Sequence, residues 1–250
     1  MSPREAAERR PLAVLLAAGM GSRLGGRLKA LFPLEGRPLV DHCIDALAEA
    51  AVERLLVVTG HAADSLEAHL RAVDSPMAIE LVHNPSYREL NNFFSLRVAC
   101  AVADGPLLVL NSDIIFMREL VELVCEAEGS LRLGVERDRV DPEALKANVR
   151  GGRVRALGKR LDPVAAFGEF IGISLLSDCV RRRYLTAADA ALSRGETTLY
   201  YEDIYHRLCP RLEARAVEVA PGTWAEVDCP SDVPSAALVA ASRAREAAVA

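Results

Sequence analysis

The chain has 250 residues, of which 51% are hydrophobic, 26% charged and only 5% aromatic, with a formal net charge of −5. That much apolar surface repays the entropy of ordering and excludes a disordered or fibrous chain. The acidic balance excludes a general nucleic-acid binder, whose surface needs a basic excess, but leaves open a small anionic ligand held by a local positive cluster.

Alternating strands and helices are legible along the chain. Leu12–Ala17 is a continuous apolar run, as expected for a strand buried on both faces. It ends in a glycine loop, Gly19 to Gly26. Pro38 opens a helix whose apolar face carries Leu39, Ile44, Leu47 and Ala51. Strands are predicted at Arg54–Thr59, Ala78–His83 and Pro106–Leu110, with a helix capped by Asp64 and running to Val73, and another over Asn91–Ala103. Strands spaced by helices imply a mainly parallel sheet with right-handed crossovers.

The rhythm changes after Leu131. Ala147–Arg150 and Arg153–Leu157 flank Gly151-Gly152, a strong hairpin signal. Gly168–Leu175 and Arg215–Val219 read as strands, Asp178–Ser193 as a helix, and the alanine-rich stretch from Ser231 as a last helix with Asp232 near its start. The expectation is one α/β domain with an antiparallel elaboration in its second half.

Six cysteines lie at least twenty residues apart with no CxxC pair, which gives a zinc or redox motif no support. The N-terminus lacks a signal-peptide layout, and the longest apolar run, Leu12 to Met20, is too short to span a bilayer. Free thiols and no export signal point to a cytoplasmic protein without membrane contact.

The first strand stops at Gly19-Met-Gly-Ser-Arg-Leu24, which places backbone N–H groups at the C-terminal edge of a parallel sheet, where α/β proteins bind ligands and phosphate oxygens. Arg23, Arg27 and Lys29 add positive charge there. A glycine loop can be a mere tight turn, but its strand context favours phosphate. A dinucleotide fingerprint would need a third glycine where Leu24 stands, and no P-loop pattern exists. Of thirty basic residues, only Lys29, Lys146 and Lys159 are lysine, the compact charge suited to phosphate. Lys146 reads equally as a surface or a site residue. The five histidines form no ligand pattern.

Leu16-Ala-Ala-Gly-Met-Gly-Ser-Arg23, then Lys29, then Leu34-Glu-Gly-Arg-Pro-Leu39 resembles the signature of the nucleotidyltransferase family that makes nucleoside-diphosphate-activated compounds. Sugar-phosphate members usually carry proline before the lysine, whereas Leu28 stands here, as in the phosphocholine and phosphonate cytidylyltransferase branch. The stretch Asn84 to Leu96 and the segments Gly168–Ser174, Tyr200–Asp203 and Glu226–Asp228 resemble that branch in the same order. The likeness covers residues 11 to 240. It implies a Rossmann-like three-layer α/β/α fold in a single domain over 11–250, with a nucleotide-binding half to about 130, an acceptor-binding half over 131–230 and a flexible N-terminus over 1–10.

The resemblance also implies roles. Arg23 and Lys29 would be catalytic; Leu16, Ala17, Ala18, Gly19, Gly21, Asn84, Asn92, Ser95 and Ser112 would bind nucleotide; Asp113 and Asp228 would hold Mg²⁺, with Mn²⁺ as a substitute. A carboxylate at a strand's C-terminal end suits that role, although Asp113 also reads as a helix cap and Asp228 as a loop carboxylate. Glu226 is a further candidate ligand. Lys159 would meet the acceptor's phosphate. Glu169, Glu202 and Asp203, near Phe170, Tyr200 and Tyr201, suit an ammonium group by ion pairing and cation–π contact, or equally form a solvated helix start over aromatic core residues. The expected substrates are CTP and a small phosphate or phosphonate acceptor such as phosphocholine or an aminoalkyl or hydroxyalkyl phosphonate; a homodimer is compatible. Transfer of another nucleotide to a sugar-1-phosphate or cyclitol phosphate is the near alternative, and a silent nucleotide-binding regulator the distant one.

Overall fold

The computed structural model describes residues 10–21, 28–137, 140 and 144–247. Its centre is a nine-stranded sheet in the order β5-β4-β1-β6-β11-β8-β12-β10-β9. The strands are β1 (Leu12–Leu16), β4 (Arg54–Thr59), β5 (Ala78–His83), β6 (Leu107–Asn111), β8 (Leu131–Arg137), β9 (Lys146–Arg150), β10 (Arg153–Gly158), β11 (Gly168–Leu176) and β12 (Ala214–Val219). Two short ribbons complete the β structure: β2 (Pro33–Leu34) with β3 (Arg37–Pro38), and β7 (Ile114–Phe116) with β13 (Trp224–Glu226). The first four strands of the sheet order are mutually parallel. β11 runs antiparallel to both β6 and β8.

Alternation along β1 sorts side chains between two layers. Leu12, Val14 and Leu16 face one core, Ala13 and Leu15 the other. The first core is covered by α3 (Phe93–Val102), α5 (Asp178–Ser193) and α6 (Tyr201–Leu208), the second by α1 (Leu39–Glu49), α2 (Ala63–Ala72) and α4 (Arg118–Glu126). This is the three-layer α/β/α arrangement, and it explains why β1 reads as an unbroken apolar run. A third cluster packs α7 (Val233–Ala247) on the β7–β13 ribbon. Among the described residues no helix is long and apolar enough to cross a membrane.

Most predicted elements stand within one or two residues of their expected bounds. Asp64 is a correction: the cap of α2 is Ala62, with φ +50°, and Asp64 lies inside the first turn. β8 and α4 are additions. β11, antiparallel to β6, joins the two halves, and β8 extends the sheet from it, antiparallel to β11 and parallel to β12. Beyond it, β9 pairs not only β10 but also the start of β11, so the antiparallel half curls back on itself.

Two glycines make that join. A Cβ on Gly168 would lie 2.2 Å from the Glu136 carbonyl oxygen, so only glycine lets β11 approach β8 there. Gly172, at φ +80°, sits where the β11–β8 register shifts, and a Cβ would press within 2.7 Å of the Asn111 carboxamide.

Candidate active site

Three elements converge at the C-terminal edge of the parallel strands. β6 ends at Asn111, and the chain turns through Ser112 and Asp113 into β7. β13 pairs β7 with Glu226 opposite Ile114, and the Val227 N–H donates to the Asp113 carbonyl at 2.7 Å. Glu226 and Asp228, two apart at a strand end, are thus laid beside Asp113. The turn after them is fixed by Asp232, whose carboxylate accepts from the N–H groups of Asp228 and Cys229, each at 2.8 Å. The third element is a one-turn helix, Lys29–Leu31, anchored by the buried Ala30.

Lys29 Nζ donates to Asp113 Oδ2 at 2.7 Å and to Asp228 Oδ1. Burial disfavours its charge, but Asp113 and Asp228 outweigh that and hold its pKa above the ordinary lysine value. Carboxylate oxygens of Asp113, Glu226 and Asp228 all lie within 4.8 Å of one another. Glu226 is exposed at the mouth of the site, yet desolvation of its carboxyl among the neighbouring groups, then the charges of Asp113 and Asp228, push it up to about 8. Asp113 Oδ1 is buried with no hydrogen-bond partner among the described residues. Three clustered carboxylates, one with an orphaned buried oxygen, fit a hard divalent cation that takes oxygen ligands.

The described start of the glycine loop, as far as Gly21, follows β1 at this edge. Leu16, Ala17 and Ala18 are buried, with Ala17 N–H donating to the Val58 carbonyl and His61 N–H to that of Ala18. A Cβ on Gly19 would meet nothing within 4 Å, and Gly21 has φ +56°. Arg23 and Arg27 lie outside the described residues. Asn84 and Ser95 are buried and bonded to each other at 3.0 Å, so they tie the loop after β5 to α3. Asn92 Oδ1 accepts the Tyr201 N–H at 2.9 Å, which joins the starts of α3 and α6. Ser112 is partly exposed beside Asp113.

The residues expected from sequence to meet an acceptor gather where α6 meets β10 and β11. Tyr201 is fully buried; its hydroxyl donates to Asn111 Oδ1 at 3.0 Å, and its ring packs edge-on against Phe170 and Tyr205. Burial pushes its phenol well above the ordinary value, so it is a neutral strut. Asp203 closes the α6 cap by accepting the Tyr200 N–H at 2.8 Å. Glu202 is buried, with Oε2 lacking a hydrogen-bond partner among the described residues. Burial, countered by its own backbone N–H and then reinforced by Asp203, pushes it up to about 7. Glu169, also buried, lies within electrostatic reach of Glu226. Lys159 is exposed in the turn after β10, with its ammonium 5.8 Å from the centre of the Tyr200 ring. Lys146, read from sequence as a surface or a site residue, is 2% exposed.

The sequence leaves Glu226 as an alternative ligand and Lys146 open between surface and site, and it does not single out Asn111; the structure brings Glu226 beside Asp113 and Asp228, buries Lys146 and bonds Asn111 to Tyr201. The two-residue spacing of Glu226 and Asp228 was the available signal for the first. Nothing local marks Asn111, because its partner is ninety positions away.

Comparison with known proteins follows the same geometry. Residues 13–142 match the MobA-like NTP transferase domain. A CMP-5'-(3-aminopropyl)phosphonate synthase of Streptomyces rubellomurinus is 28% identical over 239 residues, 88% of this chain; the alignment spans 37% of that protein's length. The fold is that of the inositol-1-phosphate CTP transferase of T. maritima, at a TM-score of 0.78 and 22% identity over 94% of this chain and 96% of the other. It also matches the CTP:phosphocholine cytidylyltransferase of Streptococcus pneumoniae, at 0.73 and 19% over 93% and 100%. The chain belongs to the MobA-like NTP transferase family.

Proposed function

We propose that the protein is a divalent-metal-dependent cytidylyltransferase that moves CMP from CTP to a small acceptor carrying both a phosphate or phosphonate and an amine. The observation that carries this is the Lys29–Asp113–Asp228–Glu226 cluster at the sheet edge. The long alignment with an aminopropylphosphonate-activating synthase supports the cytidylyl and aminophosphonate parts.

An acceptor oxygen attacks the α-phosphorus of CTP in line. The α–β bridging P–O bond breaks, and pyrophosphate leaves with the bonding pair. The nucleophile is already anionic at neutral pH, so no general base is needed and catalysis reduces to positioning and charge neutralisation. Asp113 and Asp228, with Glu226, would hold Mg²⁺ or Mn²⁺, which neutralises phosphate charge when bound. Lys29, held charged by its two carboxylates, supplies the protein's own cation at the same point. Arg23 is the expected second cation. The glycine loop from Leu16 to Gly21 offers backbone N–H groups to the triphosphate.

On the acceptor side, Lys159 meets the phosphate or phosphonate. Glu202 is the counter-charge for the amine: a buried carboxyl with a partnerless oxygen gains from a cation, and burying that cation unpaired would be costly. Tyr200 offers an aromatic face beside it, Glu169 adds negative charge, and Asp203 and Tyr201 hold the helix that carries Glu202.

Pyrophosphate release with each of four NTPs against choline phosphate, 2-aminoethylphosphonate, inositol phosphate and glucose-1-phosphate tests this. CTP with a cationic acceptor is expected to turn over fastest. Preference for glucose-1-phosphate or for another NTP would replace the reading with sugar-phosphate chemistry.

A further inference from the structure

Lys146 has no part in the chemistry above, yet it is among the largest fully buried side chains. An ammonium is costly to bury unless its protons are used. Lys146 Nζ donates to the Lys159 carbonyl at 2.9 Å and to the Ala144 carbonyl at 3.2 Å. Lys159 follows β10 directly, in an exposed turn that Leu161 N–H closes loosely on the Gly158 carbonyl at 3.4 Å, so the shorter bond from Lys146 is a second tie on its backbone. The β9–β10 register sets this up by placing Lys146 opposite Gly158, the residue before Lys159.

A cross-strand neighbour of Lys146 is charged. Lys146 pairs Glu169 across β9 and β11, and Glu169 pairs Glu136 across β11 and β8. Directly opposite residues of antiparallel strands share a face, so Lys146, Glu169 and Glu136 form one buried rung. At its far end, Glu136 Oε2 accepts the Trp224 indole N–H at 2.6 Å, and Trp224 starts the strand that ends on Glu226. The turn carrying Lys159 and the strand carrying Glu226 therefore hang from the same rung.

We infer that Lys146 is a positioning residue: its ammonium pins the Lys159 carbonyl and so sets where the Lys159 side chain meets the acceptor. This rests on the reading of Lys159 as the acceptor's anion ligand. Lys146→Met keeps length and burial but loses the charge and both hydrogen bonds. In the full chain it is expected to raise the KM for 2-aminoethylphosphonate about tenfold, leaving the KM for CTP within twofold. Because it acts through Lys159, Lys146→Met combined with Lys159→Ala should be no worse for acceptor KM than Lys159→Ala alone.

An unchanged acceptor KM in folded Lys146→Met, beside a raised one in Lys159→Ala, would overturn the inference and leave the proposed function standing. So would independent, multiplying effects in the double variant, or equal increases in both KM values. If Lys159→Ala itself leaves acceptor KM unchanged, the acceptor reading falls first and takes this inference with it. Should the methionine variant not fold, Lys146→Gln keeps a donor without the charge; a threefold rise in acceptor KM alone supports the inference, and no rise refutes it.

Discussion

The two halves of the sheet place charge in opposite ways. In the parallel half, β1, β4 and β6 are almost wholly apolar inside, and the charges of the site lie past their ends on Lys29 and Asp113. In the antiparallel half, charge sits within the fold: Lys146 is 2%, Glu136 5%, Glu169 8% and Glu202 9% exposed. A site at strand ends leaves its scaffold indifferent to the chemistry, so lesions there should cost turnover. A site built on buried charge couples binding to folding, so lesions there should move both.

The sharpest break of that contrast would be Lys29→Ala. Its loss is expected to lower kcat by about a hundredfold or more, as removal of one transition-state charge contact does. With Mg²⁺ present to screen the three carboxylates, the melting temperature should hold. A folded variant with near-normal turnover would remove Lys29 from the catalytic set.

Next come the carboxylates. Chelation with EDTA should abolish activity and added Mg²⁺ or Mn²⁺ restore it, while Asp113→Asn and Asp228→Asn each raise the metal needed for half-maximal rate by about tenfold or more. Glu226→Gln should do less, because Glu226 is exposed, whereas Asp113 offers a buried oxygen with no hydrogen-bond partner among the described residues. An ordinary metal titration in Asp228→Asn would make Glu226 the second ligand.

Glu202 should show the coupling of the antiparallel half. Burial lifts its pKa from an ordinary 4.5 to about 7, so whatever stability it lends is present below 4.5 and lost as pH rises through 7. Glu202→Gln should therefore melt higher than the parent at pH 8, yet raise the KM of a cationic acceptor about tenfold. In the parent, that KM should fall as pH rises through 7 and Glu202 becomes charged; the glutamine variant should lose this dependence. Equal acceptor KM in both proteins would take the amine away from Glu202.

The smallest effect belongs to Asp203→Ala, which removes a helix cap at a cost of about 1 kcal/mol. Melting should drop by about 3 °C with the KM for CTP unchanged.

Legibility from sequence follows the same divide. The strands of the parallel half announce themselves because both faces are buried, and the glycine loop, Lys29 and Asp113 sit at strand ends where local pattern finds them. The antiparallel half hides its design. β8 mixes Arg132, Glu136 and Arg137 into an apolar strand, which blurs its period, and Lys146 reads like a surface lysine until β9 is seen paired with both β10 and β11. Asp203 and Tyr201 lie at the start of α6, where their bonds are a helix cap and a buried strut; a helix start over aromatic rings uses the same residue types as a cation site.

In the proposed reaction the lysine–carboxylate cluster drives transfer of a cytidylyl group to an aminated phosphorus oxyacid. Phosphorus NMR of the protein with CTP, Mg²⁺ and 2-aminoethylphosphonate would observe that transfer itself. The expected result is loss of the triphosphate signals, with pyrophosphate and a mutually coupled P–O–P pair appearing together, and neither in EDTA or with Lys29→Ala. CTP left intact beside every cationic acceptor, in folded protein saturated with Mg²⁺, would contradict it.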